Sequence, residues 1–249
     1  MRSYFLPLIL VAAALPGCSA SDASVPAGQA GTKRIDASTA GSLAGRVTFQ
    51  GQAPAPAVHK VDADPACAAG GSTLADESLV IGPDGGLKNA FVYVKSGLEG
   101  YTFDAPAGPV VVDQKGCRYE PRVIGARVGQ PIEILNSDAT YHNVHAMPAK
   151  NGEFNLGMPQ QGMKITETFT APEIGVPLKC DVHGWMAAFA GIVDHPYFAV
   201  TDASGRFALP NLPPGSYTLE VWHEKLGTRS AQVTIAPKQT SETAIAFAG

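Results

Sequence analysis

The chain has 249 residues, 45% hydrophobic and 16% charged, enough to bury a substantial core, while 27 Gly and 20 Pro interrupt regular structure too often for long helices. A formal net charge of -4 without any sustained run of Lys or Arg leaves no electrostatic footprint for nucleic acid, so DNA and RNA are excluded as partners. One or two β-rich domains is the class that fits.

Residues 2–18, RSYFLPLILVAAALPGC, read as one positive charge, an apolar stretch and then small residues, the anatomy of an export leader rather than of a membrane span. Leu15-Pro16-Gly17-Cys18 resembles a bacterial lipobox, which implies lipidation of Cys18, although Pro16 departs from the usual residue; plain cleavage near Ala20 would instead release a soluble periplasmic protein. Ser19 after the cysteine implies, by the same resemblance, an outer-membrane destination. Any membrane contact would then run through that lipid alone.

With Cys18 in the leader, Cys67, Cys117 and Cys180 remain in an oxidising compartment, and an odd count leaves one thiol unpaired. Cys180 sits in CDVHGWM, where a metal can hold it. Cys67 with Cys117 is then the natural disulfide.

Residues 19–41 are small and polar and read as a flexible tether. GRVTFQG from Gly45 and AFVYVKSG over 90–97 alternate as half-buried strands do, and the Pro- and Gly-rich stretch between them reads as an ordered but irregular loop pinned at Cys67, with His59 on its surface. From Val110 follow VVVD, RVIGARVG, PIEILN, HNVHAM, KITETFT, VPLKC and AFAGIVD, the strand content of one small sandwich. YFAVT, RFALP, YTLEVWHE, AQVTI and TAIAFA complete the chain, with turn chemistry in DASGR and LPPGS.

GRVTFQG, LKNAFVYV and VTDASGRFALPNLPPGSYTLEVWHEKLG resemble successive pieces of a carboxypeptidase regulatory-like domain, a transthyretin-like β-sandwich. The expected architecture is all-β: a discontinuous outer sandwich, 42–104 plus 197–249, with a second sandwich at 105–196 inserted in it or packed on it.

The metal reading rests on Cys180, His183 and Met186. Thiolate, imidazole and weak thioether are three of the donors of a His2Cys copper site with a long axial Met. Zinc would replace the Met by Cys or His. A second histidine comes from NSDATYHNVHAM, where His142 and His145 both qualify; three positions apart in a strand, they point to opposite faces, so one alone reaches the metal, and the residues themselves do not choose.

GQPIEILNSDATYHNVHA and LKCDVHGWM resemble a cupredoxin of the plastocyanin and amicyanin type. The resemblance implies a Greek-key sandwich holding one type 1 copper ion through His142, Cys180, His183 and Met186. It implies that Asn143 ties the two ligand segments together and that His183 reaches the surface beside Trp185, where redox partners dock. Asp181 departs from the hydroxyl residue usual after the cysteine. The implied function is electron carriage without enzymatic turnover. Met147, Met158 and Met163 are expected as packing around the sandwich mouth, the alternatives being a patch that docks a redox partner or a Cu(I) relay. Copper delivery or storage through the same ligands and these methionines is one alternative function, and a metal-free structural envelope module is the other. His195 and His223 are expected in structural roles.

Overall fold

The computed structural model describes residue 1 and residues 32–249; the leader with Cys18, and the tether as far as residue 31, lie outside the described residues. The strands in chain order are β1 (Gly41–Gln50), a short hairpin of β2 (Val58–Lys60) and β3 (Thr73–Ala75), and β4 (Phe91–Ser96). Nine more follow: β5 (Val110–Gln114), β6 (Tyr119–Glu120), β7 (Val123–Arg127), β8 (Ile132–Asn136), β9 (His142–Ala146), β10 (Phe154–Met158), β11 (Lys164–Glu167), β12 (Glu173–Lys179) and β13 (Ala187–Val193). The last five are β14 (Phe198–Val200), β15 (Arg206–Leu212), β16 (Gly215–His223), β17 (Gly227–Ile235) and β18 (Thr240–Ala248). Among the described residues no helix is long and apolar enough to cross a membrane.

Hydrogen bonding leaves β2 and β3 as a separate pair, and the other four sheets make two sandwiches. In one, the sheet β15-β1-β18 faces the sheet β14-β4-β16-β17. Strand β1 brings the two ends of the described residues 32–249 together: it runs antiparallel to β15 and parallel to β18, from Ser42 opposite Thr240 to Gln50 opposite Ala248. Alternation in β16 turns Tyr217, Leu219 and Val221 inward, onto Leu43, Val47, Phe207 and Phe247. The other sandwich stacks β10-β9-β12-β13-β7 on β11-β8-β5-β6, around Tyr119, Ile132, Ile134, Val144, Leu178 and Ile192.

Strand β4 explains how the two meet. Phe91, Val92, Tyr93 and Val94 are all buried, the signature of a strand covered on both faces. Val92 and Val94 enter the first core, while Phe91 and Tyr93 join Val123, Val193, Phe189, Phe198 and Trp222 in a third apolar cluster between the sandwiches. Close approach there requires glycine: a Cβ on Gly191 would lie 2.4 Å from Phe91, and one on Gly125 would lie 2.3 Å from Phe198. Arg122 and Glu224 add an ion pair across the same contact, 2.5 and 2.8 Å, with both side chains largely shielded.

Two segments differ from the sequence reading. Residues 32–41 do not behave as a free tether, because Lys33 donates to Gly100 O, its carbonyl accepts from Thr102 N, and Ile35 packs on the first core. The stretch 58–75, grouped by sequence with the outer sandwich, instead buries Val61 and Cys67 in the core of the other one. The cause is covalent: Cys67 and Cys117 form a disulfide across 50 residues.

Candidate metal centre

Strand β9 delivers His142, and the turn after β12 delivers Cys180, His183 and Met186. The approach to β9 is templated by buried Asn136 at the end of β8, whose Nδ2 donates to Thr140 O (3.0 Å) and Met158 O (2.8 Å) while its Oδ1 accepts from Asp138 N (3.0 Å). That turn sets the Asp138 carboxylate under His142. The ligand turn is closed by backbone bonds from Met186 N to His183 O (2.8 Å) and from Cys180 N to Met186 O (3.3 Å).

Three donor atoms converge. His142 Nδ1 lies 3.0 Å from His183 Nδ1, and the Cys180 Sγ lies 4.0 and 3.8 Å from them. A triangle with these sides has a circumscribed radius of about 2.1 Å (product of the sides over four times the area), close to the ~2.0–2.3 Å that a first-row ion makes with His nitrogen and Cys sulfur. All three side chains are buried, as is Met186 at the end of the turn.

Proton placement sharpens the case. His142 Nε2 is 3.0 Å from Asp138 Oδ2, and His183 Nε2 is 3.1 Å from Asp64 Oδ2. A carboxylate only accepts, so each ring carries its proton on Nε2 and leaves Nδ1 as a bare lone pair. Two such lone pairs would face each other at 3.0 Å with nothing between them, beside a sulfur. A cation resolves that conflict. An extra proton on His142 is disfavoured, since burial holds that imidazole below its ordinary range despite the opposing hydrogen bond to Asp138. The donor set therefore fits a metal ion.

The surroundings fix these groups. Asn143 accepts from Asp181 N (2.7 Å) and donates to Asp181 Oδ2 (3.0 Å) and Asn155 Oδ1 (2.7 Å), tying β9 to the residue after Cys180. Asp181, held below its usual range by hydrogen bonds from Asn155 and then His145, turns its carboxylate outward to those partners. The Tyr119 hydroxyl is 2.9 Å from Asn143 O and 3.0 Å from Lys179 O, bridging the strands that carry the two ligand segments. Burial pushes that phenol well above its ordinary range.

Other candidates fall elsewhere. His145 leaves the donor cluster and bonds Glu153 (2.9 Å) and Asp181 (3.2 Å), with its pKa raised chiefly by Glu153. His195 lies 2.8 Å from Val94 O, and His223 accepts from Lys225 N (3.2 Å). His59 pairs loosely with Asp76, 3.5 Å away. Met158 is fully buried against Gln114 Nε2 (2.9 Å), which makes it core rather than part of a surface methionine patch.

One expectation is overturned. His183 does not reach the surface; it is 3% exposed, because Asp64 covers its Nε2 edge. Exposure passes instead to its neighbour Val182, at 53%, and to Tyr141, at 45%, each immediately preceding a histidine of the cluster. Asp64 and Asp138 were missed in the sequence because spacing reports ligands, not the groups that orient them. The one available signal was that Asp64 lies three residues before a cysteine that a disulfide brings in.

Residues 192–248 match the family described as carboxypeptidase regulatory-like domain. No curated protein matches the chain. Among solved structures, the chain is similar to a mutant amicyanin in its reduced Cu(I) form at pH 4, with 26% identity over 36% of this chain and 86% of that one and a TM-score of 0.31. It is also similar to the Cu-containing nitrite reductase of Thermus scotoductus SA-01, with 22% identity over 42% of this chain and 25% of that one and a TM-score of 0.31. A purple cupredoxin from Nitrosopumilus maritimus shares 16% identity over 33% of this chain and 98% of that one, with a TM-score of 0.29. The chain is all-β, similar over 192–248 to carboxypeptidase regulatory-like domains and, over 36% of its length, to an amicyanin.

Proposed function

We propose that this protein is an exported type 1 copper protein that carries electrons, in which His142, Cys180 and His183 would be the strong ligands of one copper ion and Met186 a weak fourth. The observation that carries this reading is the convergence of two Nδ1 atoms and one sulfur, each imidazole being held from behind by a carboxylate. Copper bound there supplies a one-electron Cu(II)/Cu(I) couple. The chain's residues hold the donors at fixed separation, keep water out and orient both rings, so little has to move when charge changes. Burial of all four side chains argues for retention rather than delivery, and for a closed site without the open position that a catalytic metal needs.

Electron exchange is assigned to the surface around Val182, Gly184 and Tyr141, with Trp185 behind it, which is where a redox partner would dock. Trp185 is partly buried, its Nε1 donating to Cys117 O (3.0 Å) and its ring 5.2 Å from that of His183. The disulfide supports an oxidising compartment, and together with the leader it supports a periplasmic protein anchored to the outer membrane through lipidated Cys18.

Reconstitution tests the reading. One equivalent of Cu(II) should produce an intense visible thiolate-to-copper band that bleaches on reduction and returns on oxidation through repeated cycles, without loss of metal to a Cu(I) chelator. Absence of the band, or surrender of the metal at the first reduction, would overturn electron carriage.

A further inference from the structure

Asp64 lies 119 residues before His183 and outside the strands of the metal-binding sandwich, yet it makes a direct contact with the ring. Its Oδ1 accepts from Ala66 N (2.8 Å), which fixes the carboxylate on its own turn. Its Oδ2 accepts from the Thr140 hydroxyl (2.6 Å) and faces His183 Nε2 (3.1 Å). Thr140 is two residues before His142, so a single oxygen touches the approach to one metal-side histidine and the ring of the other.

The disulfide connects this carboxylate to its counterpart. Cys67 is three residues beyond Asp64, and Cys117, bonded to it, donates its backbone N–H to Asp138 Oδ2 (2.8 Å), the oxygen that holds His142 Nε2. Gly116 N donates to the other oxygen of Asp138 (2.7 Å). A continuous path therefore runs from His183 through Asp64, the Cys67–Cys117 bond and Asp138 to His142. Groups that accept the far N–H of a ligating histidine fix its tautomer and ring orientation.

We propose that Asp64 is a positioning residue for His183, and that the Cys67–Cys117 bond straps it and Asp138 into one outer frame that orients both histidines. The frame makes the 58–75 segment part of the metal centre and closes the His183 edge to solvent. The copper arm of the test rests on the function proposed above; the tautomer arm does not.

The test uses the full chain. In the metal-free protein, nitrogen–proton NMR correlations of the histidine rings should show His183 protonated at Nε2, and Asp64→Ala should release it into exchange between tautomers. In the copper-loaded protein, chelator competition should show Cu(II) affinity reduced about 10–100-fold in Asp64→Ala. Asp64→Asn keeps an acceptor oxygen and should retain the tautomer, with a smaller loss of affinity. Protonation of wild-type His183 at Nδ1 would overturn the proposal, and so would an Asp64→Ala protein with unchanged tautomer and affinity within about twofold of wild type, well short of that range. If Asp64→Ala does not fold, the wild-type tautomer and the Asp64→Asn affinity decide in its place. A wild-type chain that takes up no copper would sink the functional reading, while the tautomer still judges Asp64.

Discussion

Replacing Cys67 and Cys117 together by serine removes a cross-link whose effect can be worked from its place in the chain. The bond closes a loop of 50 residues, and in the chain-entropy treatment a loop of that length restricts the unfolded ensemble by about 4 kcal/mol at 25 °C. Both sulfurs are buried in the core that also holds Ile132, Ile134, Val144 and Leu178, and that core belongs to one compact unit, Gly31–Gly249, so the loss falls on the unfolding of that whole unit. At about 2–4 °C per kcal/mol for a unit of this size, the midpoint should drop by roughly 8–16 °C. Scanning calorimetry of metal-free wild type and double variant at pH 7 measures it, with urea unfolding as a check that the slope against denaturant is unchanged. A loss below about 1 kcal/mol would refute the reasoning, because it would mean that the 58–75 segment is not integrated with the core it touches.

Other outcomes follow from particular contacts. Cys180→Ser should abolish the visible copper band, while His145→Ala, which removes only a bridge between Glu153 and Asp181, should leave the spectrum unchanged. Met186→Leu should keep a coloured site and raise its reduction potential, measurable by titration with redox mediators, since the axial ligand tunes the centre rather than making it. Gly191→Ala would set a Cβ 2.4 Å from Phe91 and should destabilise the protein by about 1–3 kcal/mol, read as a lowered urea midpoint. His223 is buried with its pKa pushed down to about 4, so below the unfolded value of 6.5 the unfolded chain binds the extra proton; stability should fall as pH drops from 6.5 toward 4, by up to about 3 kcal/mol. His223→Leu should flatten that part of the profile in urea unfolding at each pH, and an unchanged slope would show that another group is responsible.

Much of the fold could be read from alternation, because its strands are short, half-buried and punctuated by Gly, Pro and Asn. Strand β16 illustrates this: Tyr217, Leu219 and Val221 alternate with partly exposed residues, and the inward face follows directly. Strand β10 escaped because Phe154 to Met158 carries a glycine and an asparagine and buries only Met158 fully, so it has little apolar signal; its place comes from pairing with β9. The cluster of His142, Cys180 and His183 could be anticipated because Cys180, His183 and Met186 stand at short local spacing; the strand period puts His142 and His145 on opposite faces without choosing between them, and the choice of His142 came from the cupredoxin resemblance. The covering of His183 could not be anticipated. A hydrogen bond between residues 64 and 183 depends on a distant loop folding back, and nothing in local period or composition encodes that approach.

The central claim is that His142 Nδ1, His183 Nδ1 and Cys180 Sγ share one ion. Anomalous scattering at the copper edge, from crystals of the copper-loaded protein, tests this most directly. The account predicts a single strong peak within bonding distance of all three atoms. A peak among His145, Glu153 and Asp181, or none within reach of the sulfur, would contradict it.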